Sequence, residues 1–340
     1  MDSKLKELLT KKAKKLERKR KAVFLWAKFY KIVIAPLKAI LRAGCFILGI
    51  ACVIFPPILF YLIICGVAYI LLEIINNPLL VYRDNLKKRI LPDIYKELNP
   101  TVTYYSSAIN REIIKESLLF NQSFFNSKIH IEGDDYINGT INNTEFIAND
   151  IEIFNEVVDY SKTIGGCLFS IVLFPIFIVR NLFADYAHEE ELPFLGVIKK
   201  KVIIHKGLFI KASLPIHFFG KSILLPKKES DSKALTSAFA QEPIAVSDSF
   251  INTNYSIYSS NKNEINTVLT QKRIDLIKAI HTQEKSLPTV TAVNQELYLF
   301  IPRKTDLFKV NIYNKIKGIS FFDSFLEDIN YINTIISKIN

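Results

Sequence analysis

The residues whose types could support acid–base or metal chemistry begin with five histidines. His188 stands directly before Glu189, Glu190 and Glu191, and such a group could bind a metal or exchange a proton. The spacing matches neither HExxH nor another metal-ligand pattern, so a solvated acidic turn is the favoured interpretation. None of these residues predicts a metal centre.

The other histidines are also assigned structural roles. His130 and Glu132 share one face of a predicted strand, where a surface ion pair accounts for them. His205 and His217 flank another strand and are assigned to packing or exposure.

Glycines, serines and cysteines offer no catalytic motif either. Gly207 and Gly220 are assigned to turns, since the sequence contains no P-loop and no GxGxxG motif. No serine or cysteine has the context of a nucleophile elbow. The four cysteines lie in apolar runs without a CxxC pair, so neither disulfides nor a zinc site are expected: Cys45, Cys52, Cys65 and Cys167. The sequence predicts no catalytic, cofactor-binding or metal-binding residue.

The charge is concentrated at the N-terminus. Residues 1–42 carry 14 Lys/Arg and 3 Asp/Glu, which equals the net charge of +11 of the whole chain. The remaining residues therefore balance to zero. The basic pI describes the N-terminal head alone and does not indicate a protein that binds nucleic acid over its whole surface.

An apolar run directly follows this head. The 30 residues between Arg42 and Glu73 contain no charge, whereas one membrane span needs about 20 apolar residues. A signal peptide would have a shorter apolar core and a cleavage site. The run therefore predicts a membrane anchor.

The number of crossings depends on Pro56 and Pro57, which interrupt the run at its middle. One long bent span is possible, but a hairpin with limbs at about 38–55 and 58–76 is favoured. Basic residues mark the cytoplasmic side, and they both precede and follow the run. An even number of crossings keeps both basic flanks, and both termini, in the cytoplasm.

Within the head, lysines and arginines alternate with aromatic residues close to the membrane. A solvated helix that only sets topology is one interpretation, and an interfacial helix attracted to anionic lipid is the other. No base-stacking or groove-reading motif accompanies the charge, so nucleic acid is not an expected partner. The membrane-interface residues predicted here are Trp26, Lys28, Lys31, Lys38 and Arg42.

The rest of the chain has the pattern of an α+β domain. Helices are predicted over 86–98 (interrupted at Pro92), over 110–120, from Thr270 to Glu284, and from Phe321 to the C-terminus with Ser320 as N-cap. Strands with alternating apolar residues are predicted at KIHIEG, YINGTI, TEFIANDIEIF, KVIIHKGLFIKA, KSILLP, NYSIYSS and the PTVTAV–ELYLFIP hairpin.

The order of these motifs resembles the uncharacterised bacterial membrane-protein family called domain of unknown function 3137. The matching stretches are LPDIYKEL, INGTINNTEFIANDIEIF, KGLFIKASLPIHFFGKSILLP, SDSFINTNYSIYSSNKNEINTVLTQKRIDLI and ELYLFIPRKTDLFKVNIYN. The resemblance implies a transmembrane hairpin followed by a cytoplasmic domain in the inner membrane, and a LemA-like membrane protein as a possible partner. It implies no activity, cofactor or catalytic residue.

One apolar insertion departs from this pattern. Residues 163–184 include 16 uncharged residues, Ile164 to Val179, and Pro175 weakens a straight helix through them. The flanking segments look like strands of one domain, so a single crossing is excluded if they pair. A helix buried by the domain remains possible, but a dip into the near leaflet through Leu173 and Phe177 is favoured.

The sequence as a whole predicts a membrane-anchored α+β protein in three parts. Residues 1–42 form the basic cytoplasmic head, 43–76 the transmembrane helical hairpin, and 82–340 a mixed, mostly antiparallel sheet domain with flanking helices. We expect a multi-pass inner-membrane interaction or scaffold protein bound to the lipid bilayer. The alternative is an enzyme that acts on a lipid or envelope component through an unrecognised pocket.

Overall fold

The computed structural model describes residues 3–75, 78–121, 125, 129–158, 199–215, 220–229, 239, 242–309 and 315–340. The predicted apolar insertion at 163–184, with Leu173 and Phe177, lies outside the described residues, as do His188 and His217.

The N-terminal part is one continuous helix followed by a second, shorter one. Its segments are α1 (Ser3–Phe29), a π-helical turn (Tyr30–Ile34), α2 (Ala35–Ile54), a 3-10 turn (Pro56–Ile58) and α3 (Leu59–Glu73). Among the described residues, one helix is long and apolar enough to cross a membrane, Leu5–Gly49, and a shorter apolar helix covers Pro56–Leu72. The fold is therefore mixed α+β with an N-terminal helix that could span a membrane.

Helix α4 (Pro78–Leu98) is unbroken, and the predicted interruption at Pro92 is wrong. Proline lacks the N–H that would bond to the preceding turn and usually bends a helix. Here one face of α4 is fully buried on both sides of the proline, and this packing holds the helix together: Ile90, Leu91, Ile94 and Tyr95.

The sheet has eight strands in the order β1-β2-β3-β4-β8-β7-β5-β6, and every pair is antiparallel. The strands are β1 (Val102–Tyr105), β2 (Ile129–Ile141), β3 (Thr144–Val158), β4 (Lys199–Ser213), β5 (Lys221–Pro226), β6 (Tyr255–Ser259), β7 (Thr289–Val293) and β8 (Glu296–Pro302). Two-residue turns at Asn142–Asn143 and Asn294–Gln295 have positive φ, as tight hairpins require. The antiparallel sheet is confirmed, and so are the predicted strands, except that KIHIEG and YINGTI form the single strand β2 and that β1 was not predicted.

The remaining helices differ from prediction mainly at their ends. They are α5 (Arg111–Glu116), α6 (Ser249–Asn254), α7 (Ile265–Val268), α8 (Gln271–Glu284) and α9 (Asp323–Ile339). Helix α5 stops before Phe120, since Ser117 Oγ accepts the Leu119 N–H at 3.2 Å and Leu118 turns to positive φ. A 3-10 turn precedes α9, so Ser320 is not its N-cap and instead bonds to the Lys317 carbonyl.

The two faces of the sheet have separate cores. Helices α1, α4, α8 and α9 contribute their apolar faces to the larger core, with residues such as Leu86, Ile277 and Phe325. Helix α5 and the segment after it cover part of the other face, where Phe120, Phe209 and Phe300 are buried.

Gly207 lies inside β4 and does not form a turn, contrary to the sequence-based assignment. A Cβ at this position would collide with the Ile301 carbonyl oxygen and would lie 2.9 Å from the Pro302 Cα. Glycine is needed here because the backbone of β8 approaches too closely for any side chain.

Candidate functional site: an exposed apolar surface and its attachment to the domain

Exposed apolar side chains begin near the end of α1 and continue through α3. Leu25 is 70 % exposed, Ile54 82 % and Ile74 70 %. A water-soluble helical pair would bury such residues, whereas a lipid-facing pair exposes them to hydrocarbon. The surface is suited to contact a bilayer.

Two of the predicted interface residues lie at the start of this surface. The Trp26 ring is partly exposed and stacks on Phe29 with 5.1 Å between centroids. The Lys28 ammonium lies 6.0 Å from the Phe24 ring. Amphipathic aromatic and lysine side chains of this kind are typical of the headgroup region.

The next basic residues lie further along the same continuous helix. Lys31, in the π-helical turn, is half-buried. Lys38 Nζ donates to the Ile75 carbonyl at 2.9 Å, and the Arg42 guanidinium lies 6.0 Å from the Tyr69 ring. These contacts tie the beginning of α2 to the end of α3.

A second contact joins the middle of the two helices. Cys65 Sγ donates to the Leu41 carbonyl at 3.3 Å, and a Cβ on Gly44 would lie 3.2 Å from the same sulfur. The residues in contact descend from Ile75, just after α3, to Cys65, while their partners on α2 ascend from Lys38 to Gly44. Helices α2 and α3 therefore run antiparallel where they touch.

Helix α1 has one face buried in the larger core of the domain. The buried residues recur at helical spacing, and the sequence contains this stripe within its basic run: Leu5, Leu9, Ala13 and Ala27. Sequence reasoning missed the packing because the lysines around the stripe dominate its composition.

Polar contacts reinforce this packing. Glu17 accepts two bonds from Arg20 at 2.8 Å and one from the Ile316 backbone N–H at 3.0 Å. The bonds from Arg20 contribute most to lowering the pKa of Glu17 to about 2. Tyr82 of α4 donates to the Leu16 carbonyl at 3.0 Å. Helix α1 is thus bonded both to α4 and to the segment before α9.

A buried charged cluster connects α4 to the sheet. Lys87 Nζ lies 2.6 Å from the Asp135 carboxylate and 3.1 Å from that of Asp134, and the Tyr104 hydroxyl donates to Asp135 at 2.5 Å. Burial disfavours the charge on Lys87, but the attraction of the two aspartates outweighs it and raises the pKa of Lys87. Burial, reinforced by Asp134, raises the pKa of Asp135 despite the lysine.

The irregularity between β2 and β3 forms this cluster. The strand register shifts between Asp134 and Ile137, and Asp135 has a φ of 61°. A bulge of this kind re-aims a side chain into the core. It directs Asp135, which has no exposure, toward Lys87.

Asp150 is a second buried carboxyl on the same side of the sheet. It accepts the Leu307 N–H at 2.8 Å and so holds the loop after β8. Burial raises the pKa of Asp150 to about 7. Both buried carboxyls lie among apolar side chains and contact backbone or side-chain groups of the domain, which suits a structural role.

The described histidines pack against aromatic rings. His205 lies 5.2 Å from Phe120, and burial lowers its pKa. His130 stacks on Phe154 at 5.3 Å, while Glu132 pairs with Lys201 at 2.7 Å. Among the described residues, no group of three His, Cys, Asp or Glu could hold a metal ion.

One comparison with known proteins concerns the second part of the chain. Residues 203–340 match the family model described as protein of unknown function, DUF3137. This part of the chain resembles DUF3137. The match begins within β4 and ends with α9, so the resemblance is confirmed there, and the quoted stretches LPDIYKEL and INGTINNTEFIANDIEIF precede it.

The remaining comparisons establish neither a family nor a fold. No curated protein shows significant sequence similarity to the chain. The crystal structure of the mycobacterial trehalose monomycolate transport factor A, TtfA, aligns at 9 % identity over 74 % of this chain and 96 % of that protein. Its TM-score is 0.26, too low to establish a common fold.

Proposed function

We propose that this chain is a membrane-tethered interaction protein of the bacterial inner membrane. A hairpin of α2 and α3 inserts it, and the rest of the chain lies in the cytoplasm. The observation that carries the proposal is the packing of α1, which precedes the apolar segment, on α4, which follows it.

The packing constrains the topology. Two helices that share one core cannot lie on opposite sides of a bilayer. If residues 43–76 enter the membrane, the chain must return to the side from which it entered. The bond between Tyr82 and Leu16 supports a hairpin over a single bent span.

The dimensions of the helical pair fit a bilayer. The helix rises about 26 Å between Lys38 and Phe55. This length is close to the roughly 30 Å of a hydrocarbon core. Pro56 and Pro57 then form the turn at the far surface. Lys38 and Arg42 lie at the near surface, where cations can meet anionic headgroups.

Most of the basic face of α1 lies too far from the membrane to serve lipid. Lys14 lies about 36 Å from Lys38 along the helix, several times the Debye length of about 8 Å. Because the buried stripe fixes α1 on the domain, its lysines form a rigid cationic surface. The exposed members are Lys6, Lys11, Lys14, Lys15, Arg18, Lys19 and Lys21. Such a surface suits an acidic protein partner, and a LemA-like membrane protein is one candidate.

The test is chemical crosslinking of the full chain in native membranes. Replacing Lys11, Lys14 and Lys15 with glutamate should abolish the crosslinked partner bands, since like charges would then face each other.

A matched variant distinguishes this surface from general charge effects. It carries the same change at three exposed lysines of the domain: Lys228, Lys262 and Lys304. This variant should crosslink as the original chain does. Equal patterns from both variants would contradict an interaction through α1.

A further inference from the structure

The paired ends of β3 and β4 carry exposed apolar side chains. We define the ribbon tip as residues 154–158 and 199–204. Its exposed β-branched residues are Val157 at 46 %, Val202 at 43 %, Ile203 at 49 % and Ile204 at 39 %. The register pairs Asn155 with Val202 and Val157 with Lys200, which places the two valines on one face of the ribbon.

The ribbon tip points in the same direction as the start of α4. The end of α4 leads into β1, where Val102 pairs with Gly139 of β2, and further back Lys87 bonds to Asp134. The direction along α4 toward Pro78 is therefore the same as the direction along β2 toward Ile129. Strand β3 follows in the same direction toward its end.

The ribbon is longer than the helix beside it. From Lys87 to Pro78, helix α4 covers about 14 Å. Asp150 pairs with Asp134, and from Asp150 to Val158 strand β3 covers about 26 Å. The ribbon tip thus projects about 12 Å beyond the start of α4, to the level at which the apolar helices begin.

The ribbon tip contains three lysines and one glutamate, and ion pairs neutralise two of the lysines. Lys199 pairs with Glu156 at 2.6 Å. Lys201 pairs with Glu132 at 2.7 Å, and its ammonium lies 3.8 Å from the Phe154 ring. Electrostatic attraction to anionic lipid is therefore weak here. Apolar contact is the driving force, while lysine side chains can extend to the headgroups.

We propose that the ribbon tip is a second membrane contact, with Val157, Val202, Ile203 and Ile204 seated in the lipid interface. The proposal rests on the hairpin topology proposed above and adds a second attachment point, which would fix the orientation of the domain. The ligand class is the bilayer itself, of either neutral or anionic lipid.

The test uses the full chain in phosphatidylcholine vesicles, with Cys45, Cys52, Cys65 and Cys167 replaced by alanine. A fluorophore on Val157→Cys should be quenched by spin-labelled lipid several-fold more than the same fluorophore on Glu145→Cys. Glu145 is exposed near the other end of the same strand, so it serves as the matched control. Adding phosphatidylglycerol should change the quenching little.

Further measurements distinguish failure of the ribbon-tip contact from failure of the proposed hairpin. Val202→Asp beside the label should release the quenching, because a carboxylate on the same face opposes insertion. A label on Phe60→Cys, inside the proposed hairpin, reports the hairpin itself. Quenching at Phe60 with none at Val157 would overturn the ribbon-tip contact and leave the hairpin intact. A Val157 label shielded from water but not quenched would mean that protein covers the tip, which also overturns the proposal.

Discussion

At the scale of single residues, the chain buries charge to connect its parts. Lys87 is 6 % exposed and Asp135 has no exposure, so both depend on each other and on Tyr104. Because Lys87 belongs to the helix that leaves the proposed hairpin, this cluster is where the anchor and the sheet are joined.

Removing the lysine tests this connection. Lys87→Met should destabilise the protein by about 3 kcal/mol, the lower end of the usual cost of removing one buried partner, because a protonated Asp135 can stay buried. Lys88→Met, at the exposed neighbouring position, should be close to neutral. Urea unfolding of the full chain in detergent measures both. The double variant Lys87→Met/Asp135→Asn should recover part of the loss, and additive losses would argue against a coupled pair.

Asp150 makes a separate prediction about pH. Its pKa in the folded protein is about 7, above the ordinary 3.8 of an unfolded chain, so the folded state holds the proton more tightly. Its contribution to stability is complete below pH 3.8 and declines as the pH rises to about 7, by at most about 1.4 kcal/mol per pH unit.

The matching variant is Asp150→Asn. It keeps an oxygen for the Leu307 N–H but cannot ionise. Urea midpoints measured between pH 4 and pH 8 should fall more steeply for the original chain than for the variant. Parallel curves for the two proteins would exclude Asp150 as the source of the pH dependence.

At the scale of elements, α1 has two functions on two faces. The stripe of Leu5, Leu9 and Ala13 completes the core of the domain, and the opposite face carries the lysines. The basic head is thus packed against the domain through one face and solvated on the other.

A fragment experiment tests this double role. A chain that starts at Pro78 lacks α1 and would expose the core face of α4, so we expect a lowered melting temperature and aggregation. A peptide of residues 3–24 added in trans should raise the melting temperature. The same peptide with Leu9→Asp should have no effect, because Leu9 is fully buried in the intact chain. Equal stabilisation by both peptides would indicate a charge effect only.

At the scale of the whole molecule, the helical pair and the sheet domain are joined by contacts on both sides of the apolar segment. Lys12 of α1 forms an ion pair with Asp93 near the end of α4, and Lys38 of α2 bonds at the end of α3. These contacts support the proposed topology, in which the chain enters and leaves the bilayer through one packed helical pair.

Cysteine labelling with a membrane-impermeant maleimide tests this topology. In a cysteine-free background, Lys6→Cys and Glu327→Cys should react only from the cytoplasmic side, and Phe55→Cys only from the other side. All three positions are exposed in the structure, so lack of reaction reports the membrane and not burial. Reaction of Glu327→Cys and Lys6→Cys from opposite sides would require a single span.

The sequence by itself determined the apolar run, the net charge of the head, most strands and the hairpin between β7 and β8, because these depend on local composition and on turn residues such as Asn294. Tertiary structure alone decided that α4 continues through Pro92, that Gly207 serves strand pairing and that α1 belongs to the core. Each of these depends on a partner distant in the chain. Ile301 excludes a Cβ at Gly207, and α1 is bonded to Tyr82 and to Ile316, both distant in the chain. Periodicity shows that a helix has an apolar face, but only packing shows which surface covers that face.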